Sequence, residues 1–429
     1  MAVFTSRSLC CIAALGCAMA GFAATGSARA GSETVLYAFQ GGNDGDSPDA
    51  GLINLRGTLY GTTYVGGPAK CHQPKVRGGC GTVFSVTTAG IEKVVHNFNG
   101  AGDGKLPAGG FAKVGGALYG TTSAEGANGY GTVFKVTKEG RLKTLYAFKG
   151  GSDGANPQAG LVDVGGMLYG TTYAGGASSL GTVFAVTKAG AETVLYSFKG
   201  GADDGANPQA GLTNVGGVLY GTTLYGGGAA PCTNNDAVTG CGTVFKVTTG
   251  GAEALLHSFQ YNGKDGVAPY AGLINVGGTL YGTTYWGGTG YARAKRGRPD
   301  CSYRCGTVFS VTTAGVETIV YSFQDGNDGA DPTASLISVG NTLYGTTSLG
   351  GPYSCGSPNE SSACGTVFKV TTEGVERVVH SFQGGADGWN PQAGLIKFGG
   401  RLYGTTFEGG GGSCRDANSG CGTVFSITR

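Results

Sequence analysis

Charge is scarce in this chain: Asp, Glu, Lys and Arg make up 13% of its 429 residues, about half the usual share. Methionine and tryptophan number only 3 and 2, and proline only 13. Without a G-X-Y period, the 87 glycines do not build a collagen helix. Aromatics at 10% exclude a disordered chain, which lacks apolar groups to bury. Beyond residue 30 no run reaches the roughly 18 apolar residues of a membrane span. Abundant glycine disfavours helices, whereas Tyr, Phe, Val and Thr suit pleated strands. An all-β fold is predicted.

Arg7, the apolar stretch 9–21 and the small-x-small sequence Ala28-Arg29-Ala30 read as a secretory signal peptide over residues 1–30. The mature chain is then a single domain over residues 31–429, exported to the periplasm or the medium. The signal holds Arg7 and Arg29 and no acid, which leaves 27 basic residues to balance 27 acidic ones. A neutral chain argues against nucleic-acid or anionic-membrane partners. A soluble monomer is expected.

Seven internal copies organise the rest. LYGTT begins at Leu59, Leu118, Leu168, Leu219, Leu280, Leu343 and Leu402, 50 to 63 residues apart. GTVF follows each, beginning at Gly81, Gly131, Gly181, Gly242, Gly306, Gly365 and Gly422, and a segment of the LYSF type ends at Phe39, Phe98, Phe148, Phe198, Phe259, Phe323 and Phe382. Each unit reads as four strands; in the third they are A (159–164), B (167–173), C (182–187) and D (192–198). Gly165-Gly166 makes the A–B hairpin turn, and Lys188-Ala189-Gly190 the C–D turn. Seven four-stranded meanders predict a seven-bladed β-propeller. The mature chain opens with a lone strand D (33–39) and closes with a strand C (423–429) lacking its D. The first completes the last blade, which closes the ring and removes a free sheet edge.

The consensus DGxxPxAGL…LYGTTxxGG…GTVFxVTxxG…LxSF, carried seven times across residues 33–429, resembles the GloVer tandem repeat of bacterial "choice-of-anchor" exported proteins. The resemblance implies an exported repeat protein, often tethered by one of several C-terminal anchors, and no particular activity. This sequence departs on the anchor: it stops on a strand at Arg429 with no sorting signal after it.

Antiparallel strands put the B–C and D–A loops at one end of every blade, and all variation in length falls there. Seven prolines sit in D–A loops and six in B–C loops, none in a strand. Three cysteines (Cys10, Cys11, Cys17) belong to the signal. The other ten form one pair in each of five B–C loops: Cys71/Cys80, Cys232/Cys241, Cys301/Cys305, Cys355/Cys364 and Cys414/Cys421. Local pairs in an oxidising compartment read as disulfides. The two loops without cysteine are the short ones, as expected if staples offset the entropy of ordering long loops.

Stapled variable loops on one face suit a binding surface. Trp286 and Trp389 both lie there, with Tyr285, able to stack on sugars or apolar ligands or to pack under their own loops. Tyr64, Tyr173 and Phe407 hold the same repeat position as Tyr285. The fifth B–C loop is basic and aromatic (Tyr291, Arg293, Lys295, Arg296, Arg298, Tyr303, Arg304), and the first adds Lys70, His72, Lys75 and Arg77. Together they suggest an anionic polysaccharide or another acidic surface, the alternative being solvated loops. The repeated DGxxP places Asp44, Asp103, Asp153, Asp204, Asp265, Asp328 and Asp387 at equivalent positions. They either ring the channel mouth, where calcium is conceivable, or cap their own turns. No other cofactor is implied. His96, His257 and His380 occupy a strand-D slot that holds Tyr in the other four units, which reads as a packing position.

No nucleophile elbow, zinc signature or phosphate loop is present. The sequence therefore points to a binding module for extracellular carbohydrate or another surface polymer. One alternative is a propeller-type polysaccharide lyase or hydrolase, using loop residues unique to one blade such as His72, Tyr303, Arg304 or Glu408. The other is an envelope scaffold with a protein partner.

Overall fold

Each LYGTT strand pairs with the GTVF strand that follows it, and the pairing extends outward and inward to a four-stranded antiparallel sheet, seven times over. The computed structural model describes residues 32–429, apart from 69–70, 72–77, 229–231, 233–237, 291–304, 356–361, 413 and 415–418. In the third blade the strands are A Val162–Val164, B Met167–Thr172, C Thr182–Thr187 and D Glu192–Ser197. The N-terminal strand Glu33–Ala38 is strand D of the seventh blade. It pairs with Thr423–Ile427 from Glu33↔Ile427 to Ala38↔Thr423, so the ring closes as expected. The fold is a seven-bladed β-propeller.

The repeated letters have separable physical jobs. At the A–B turn Gly165 and Gly166 have φ of 61° and 89°, the left-handed pair that a two-residue hairpin requires. The Phe that ends strand D packs edge-to-face on the GTVF Phe of the next blade, as in Phe148–Phe184 and Phe198–Phe245, both with ring centroids 5.0 Å apart. All seven joints carry this pair, and the rings are fully buried. The glycine of LYGTT lies beneath the second ring: a Cβ on Gly221 would sit 2.5 Å from Phe245 Cζ. The first threonine donates to the next blade, Thr171 Oγ1 to the Ala210 carbonyl at 3.1 Å. The second shares a 2.8 Å hydrogen bond with the GTV threonine, as between Thr172 and Thr182. The core is thus a set of seven inter-blade clusters. One of them joins Tyr169, Val183 and Phe198 to Leu212, Leu219 and Phe245.

Two features differ from expectation or go beyond it. Strand A is only three residues long and begins at Val162, because the preceding AGL turns into the central channel, where neighbouring backbones crowd. A Cβ on Gly160 would lie 2.6 Å from the Gly110 carbonyl oxygen. Every strand D also carries a β-bulge at one place. In the third blade Tyr196 opposes Val183 and Val194 opposes Phe184, leaving Leu195 as the extra residue. A bulge increases local twist and re-aims side chains.

Disulfides join Cys71–Cys80, Cys232–Cys241, Cys355–Cys364 and Cys414–Cys421. Cys305 is disulfide-bonded too; Cys301, its expected partner, lies outside the described residues. No helix among the described residues is long and apolar enough to cross a membrane.

Candidate functional site

The residue after each DGxxP proline is where the repeats part company. Asp49, Ala108, Gln158, Gln209, Tyr270, Thr333 and Gln392 come from the seven blades in turn. They meet around one mouth of the channel, with Tyr64 and Ser123, in a cavity of about 300 Å³. Below them the channel is lined by the AGL glycines and leucines, with Ser335 in place of one glycine. The rim is polar and partly pre-ordered. Gln209 Nε2 donates to the Tyr270 hydroxyl at 2.7 Å. An aromatic file runs outward from it: Tyr270 to Tyr285 at 5.8 Å between centroids, and Tyr285 to Trp286 at 5.0 Å. Burial pushes the Tyr270 hydroxyl up. It does the same to Tyr285, helped by Asp331, so both rings stay neutral donors. The rim thus offers amides, a carboxylate and a hydroxyl beside aromatic faces, the mix that orients polyhydroxylated ligands.

The seven DGxxP aspartates do not converge on this mouth. Each reaches back to the end of the strand D that precedes it, the outermost strand of its blade. Asp153 accepts from Tyr146 Oη at 2.6 Å and from the Lys149 N–H at 2.7 Å. Asp44, Asp204 and Asp328 do the same with Tyr37, Tyr196 and Tyr321. At the other three joints a histidine stands in the tyrosine's place. His96, His257 and His380 lie 3.0, 3.5 and 3.2 Å from Asp103, Asp265 and Asp387.

The twist of each blade also brings the first residue of the next strand D against these pairs. At six joints that residue is a glutamate (Glu33, Glu92, Glu192, Glu253, Glu317 or Glu376), whose Oε1 is buried without a hydrogen-bond partner. At the joint of blades 1 and 2 it is Leu142. Burial first, then the facing aspartate, push Glu33, Glu92, Glu192, Glu253 and Glu317 from 4.5 up to about 7, and Glu376 up to about 8.

The family profile described as the Gloeobacter/Verrucomicrobia repeat matches residues 21–234 and 231–429. The chain belongs to that repeat family. No curated protein matches the sequence. Among solved structures, one similar chain is a protein provisionally named a 6-phosphogluconolactonase, from Bacteroides fragilis. It is 17% identical with a TM-score of 0.47, over 82% of this chain and 88% of that one. A luciferin-regenerating enzyme is 10% identical with a TM-score of 0.41, over 93% and 95%. A europium-containing methanol dehydrogenase is 9% identical with a TM-score of 0.48, over 92% and 93%.

Against this Gloeobacter/Verrucomicrobia repeat framework the sequence-based candidates fall into three groups. Tyr285 and Trp286 join the aromatic file; Trp286 pairs through its backbone with Val267 and packs on the cluster of blades 4 and 5. Trp389 is held elsewhere, bridged to Glu408 and packed on the cluster of blades 6 and 7. Lys70, His72, Arg77, Tyr291, Arg293, Arg296, Arg298, Tyr303 and Arg304 lie outside the described residues. Missed from sequence were Asp49, Gln158, Gln209, Tyr270 and Gln392. The available signal was one variable letter inside an otherwise constant motif.

Proposed function

We propose that this protein is an exported binding module that holds carbohydrate, or another extracellular polymer, at the polar channel mouth. The observation that carries the reading is the mouth ring: seven equivalent positions carrying five residue types, Gln at three of them, surrounding a cavity of about 300 Å³ beside Tyr270, Tyr285 and Trp286. A repeat position under a shared packing rule keeps one residue type; this one varies and is polar in every blade but the second, where it is Ala108, which favours recognition over packing. Amide side chains hydrogen-bond sugar hydroxyls from both ends, and the aromatic file supplies stacking faces. The disulfides support an oxidising compartment, and the first thirty residues support export.

Neutral and acidic glycan arrays with wild type, Tyr270→Ala and Gln209→Ala test this. Wild-type binding that weakens about tenfold or more in Tyr270→Ala supports the mouth, since tenfold corresponds to about 1.4 kcal/mol of lost contact. Absence of binding to every glycan overturns the carbohydrate reading. A co-purified protein partner unaffected by free glycans then favours the scaffold alternative, and polymer cleavage favours the enzymatic one.

A further inference from the structure

Six of the seven blade joints bring two carboxylates together, but among the described residues only two add a third metal-binding group. Between blades 4 and 5, one ligand atom each from His257, Asp265 and Glu317 lie within 4.8 Å of one another; between blades 6 and 7 the same holds for Glu33, His380 and Asp387. The other four carboxyl pairs face the hydroxyl of a tyrosine, which donates its hydrogen to the aspartate. The third histidine joint, His96 with Asp103, faces Leu142 and offers two groups only.

We propose that the joints between blades 4 and 5 and between blades 6 and 7 each bind one divalent transition-metal ion, zinc or manganese in kind. One imidazole nitrogen with two carboxylates suits such ions, whereas calcium takes six to eight oxygens and no nitrogen. At the first joint, His257 Nε2 and Glu317 Oε1 are both buried without a hydrogen bond, and the nearest contact of the imidazole nitrogen is a long one, 3.5 Å to Asp265, so an ion among the three groups supplies the partner that each lacks at bonding distance. Packing also fixes the orientation of each imidazole, since His257 stacks edge-on against Phe259 and His380 against Phe382, with centroids 4.7 and 4.9 Å apart.

The ion takes the Nε2 lone pair of each imidazole and offsets the charge of the two carboxylates beside it, of which burial and the facing aspartate push Glu317 and Glu33 above the usual carboxylate range. Arg401 also acts on Glu33, so the second joint already has one cation nearby and binds more weakly. Its ligand Glu33 belongs to the closing strand, so an ion there ties the N-terminal strand to blade 6 and strengthens the ring's non-covalent seam.

The test uses the repeat as its own control. Metal-stripped full chain is titrated with ZnCl2 and with MnCl2 by calorimetry, followed by metal analysis after gel filtration. Wild type is expected to retain two ions. His257→Tyr and His380→Tyr each remove one, and the double variant removes both. Because tyrosine fills this slot in four sister blades, these variants keep the fold, which circular dichroism verifies. His96→Tyr keeps two ions. Glu317→Leu, which copies Leu142, removes the ion at blades 4 and 5 while leaving His257 in place. No retained metal in wild type, or retention unchanged in the double variant, overturns the proposal.

Discussion

The blade joints and the channel mouth are built from the same seven repeats, yet they treat identity in opposite ways. At the joints every copy repeats the Phe–Phe edge contact, the glycine beneath it and the paired threonines. At the mouth, one letter after a constant proline runs Asp, Ala, Gln, Gln, Tyr, Thr, Gln. The joints obey a packing rule that each copy must satisfy, since interiors are close-packed and tolerate little change in volume. The mouth is freer of that rule because its side chains line a cavity and meet their neighbours through polar contacts at the rim, as Gln209 meets Tyr270, rather than through close-packed apolar rings. Constancy therefore marks the scaffold, and variation marks where recognition can be written.

The hardest way to break this contrast is to cut into a joint. Phe245→Ala removes a fully buried ring together with its edge contact to Phe198, and should cost about 3–5 kcal/mol in urea unfolding. Gly221→Ala attacks the same place from the other side. Its Cβ would come within 2.5 Å of the Phe245 ring, and overpacking of this kind costs about 1–3 kcal/mol. A loss under about 1 kcal/mol for Phe245→Ala would mean that the joints are not where stability resides.

The next largest effect should come from the staples, which belong to the variable loops rather than the joints. Replacing Cys232 and Cys241 together with serine opens a loop closed by a disulfide of sequence separation 9 and should cost about 2–3 kcal/mol. Local pairing was legible in the chain because each second cysteine directly precedes GTVF and its partner lies in the same loop. Blade number and ring closure were legible for a similar reason: strand patterning and the lone terminal strands are properties of one repeat or of the chain ends. The short strand A was not, because the crowding of Gly160 against Gly110 involves two blades whose approach no linear spacing encodes. The Glu–Asp joints escaped for the same reason. Glu192 and Asp153 stand at opposite ends of one repeat and meet beside Tyr146 of the previous blade, and only blade twist brings the three together. The mouth ring was missed because a single variable letter, read along the chain, looks like tolerance rather than a site.

A smaller effect with a definite sign comes from those carboxyl pairs. Glu192 titrates near 4.5 when unfolded and about 7 when folded, raised by burial and Asp153, with Tyr146 and Lys149 acting the other way. Between those values the folded state holds more protons, so stability is highest below about pH 4.5, falls as pH rises toward 7, and is flat above. Melting temperatures of metal-free protein from about pH 4.5 to 8 should show this fall. Glu192→Gln should recover part of it at about pH 8 and none at about pH 4.5. The joint of blades 1 and 2 sharpens the point, since Leu142→Glu should steepen the decline by giving the seventh joint the pair it lacks. An unchanged slope in both variants would remove the carboxyl pairs from the account.

The smallest effect on stability should be the most informative about function. Gln209→Ala takes away one hydrogen bond, to the Tyr270 hydroxyl, at a partly exposed rim, and should change unfolding free energy by no more than about 0.5 kcal/mol. Removing it takes that restraint from Tyr270 and leaves the ring its contact with Tyr285 at 5.8 Å. Ligand affinity should accordingly fall more than stability does, because ordering a stacking face on binding carries an entropic cost that a pre-ordered one avoids. Measured side by side, unfolding and glycan binding of Gln209→Ala and Phe245→Ala should separate cleanly, the first losing affinity with its fold intact and the second losing stability. If Gln209→Ala destabilises the chain by several kcal/mol, the mouth is one more packing interface and the contrast on which the proposed function rests disappears.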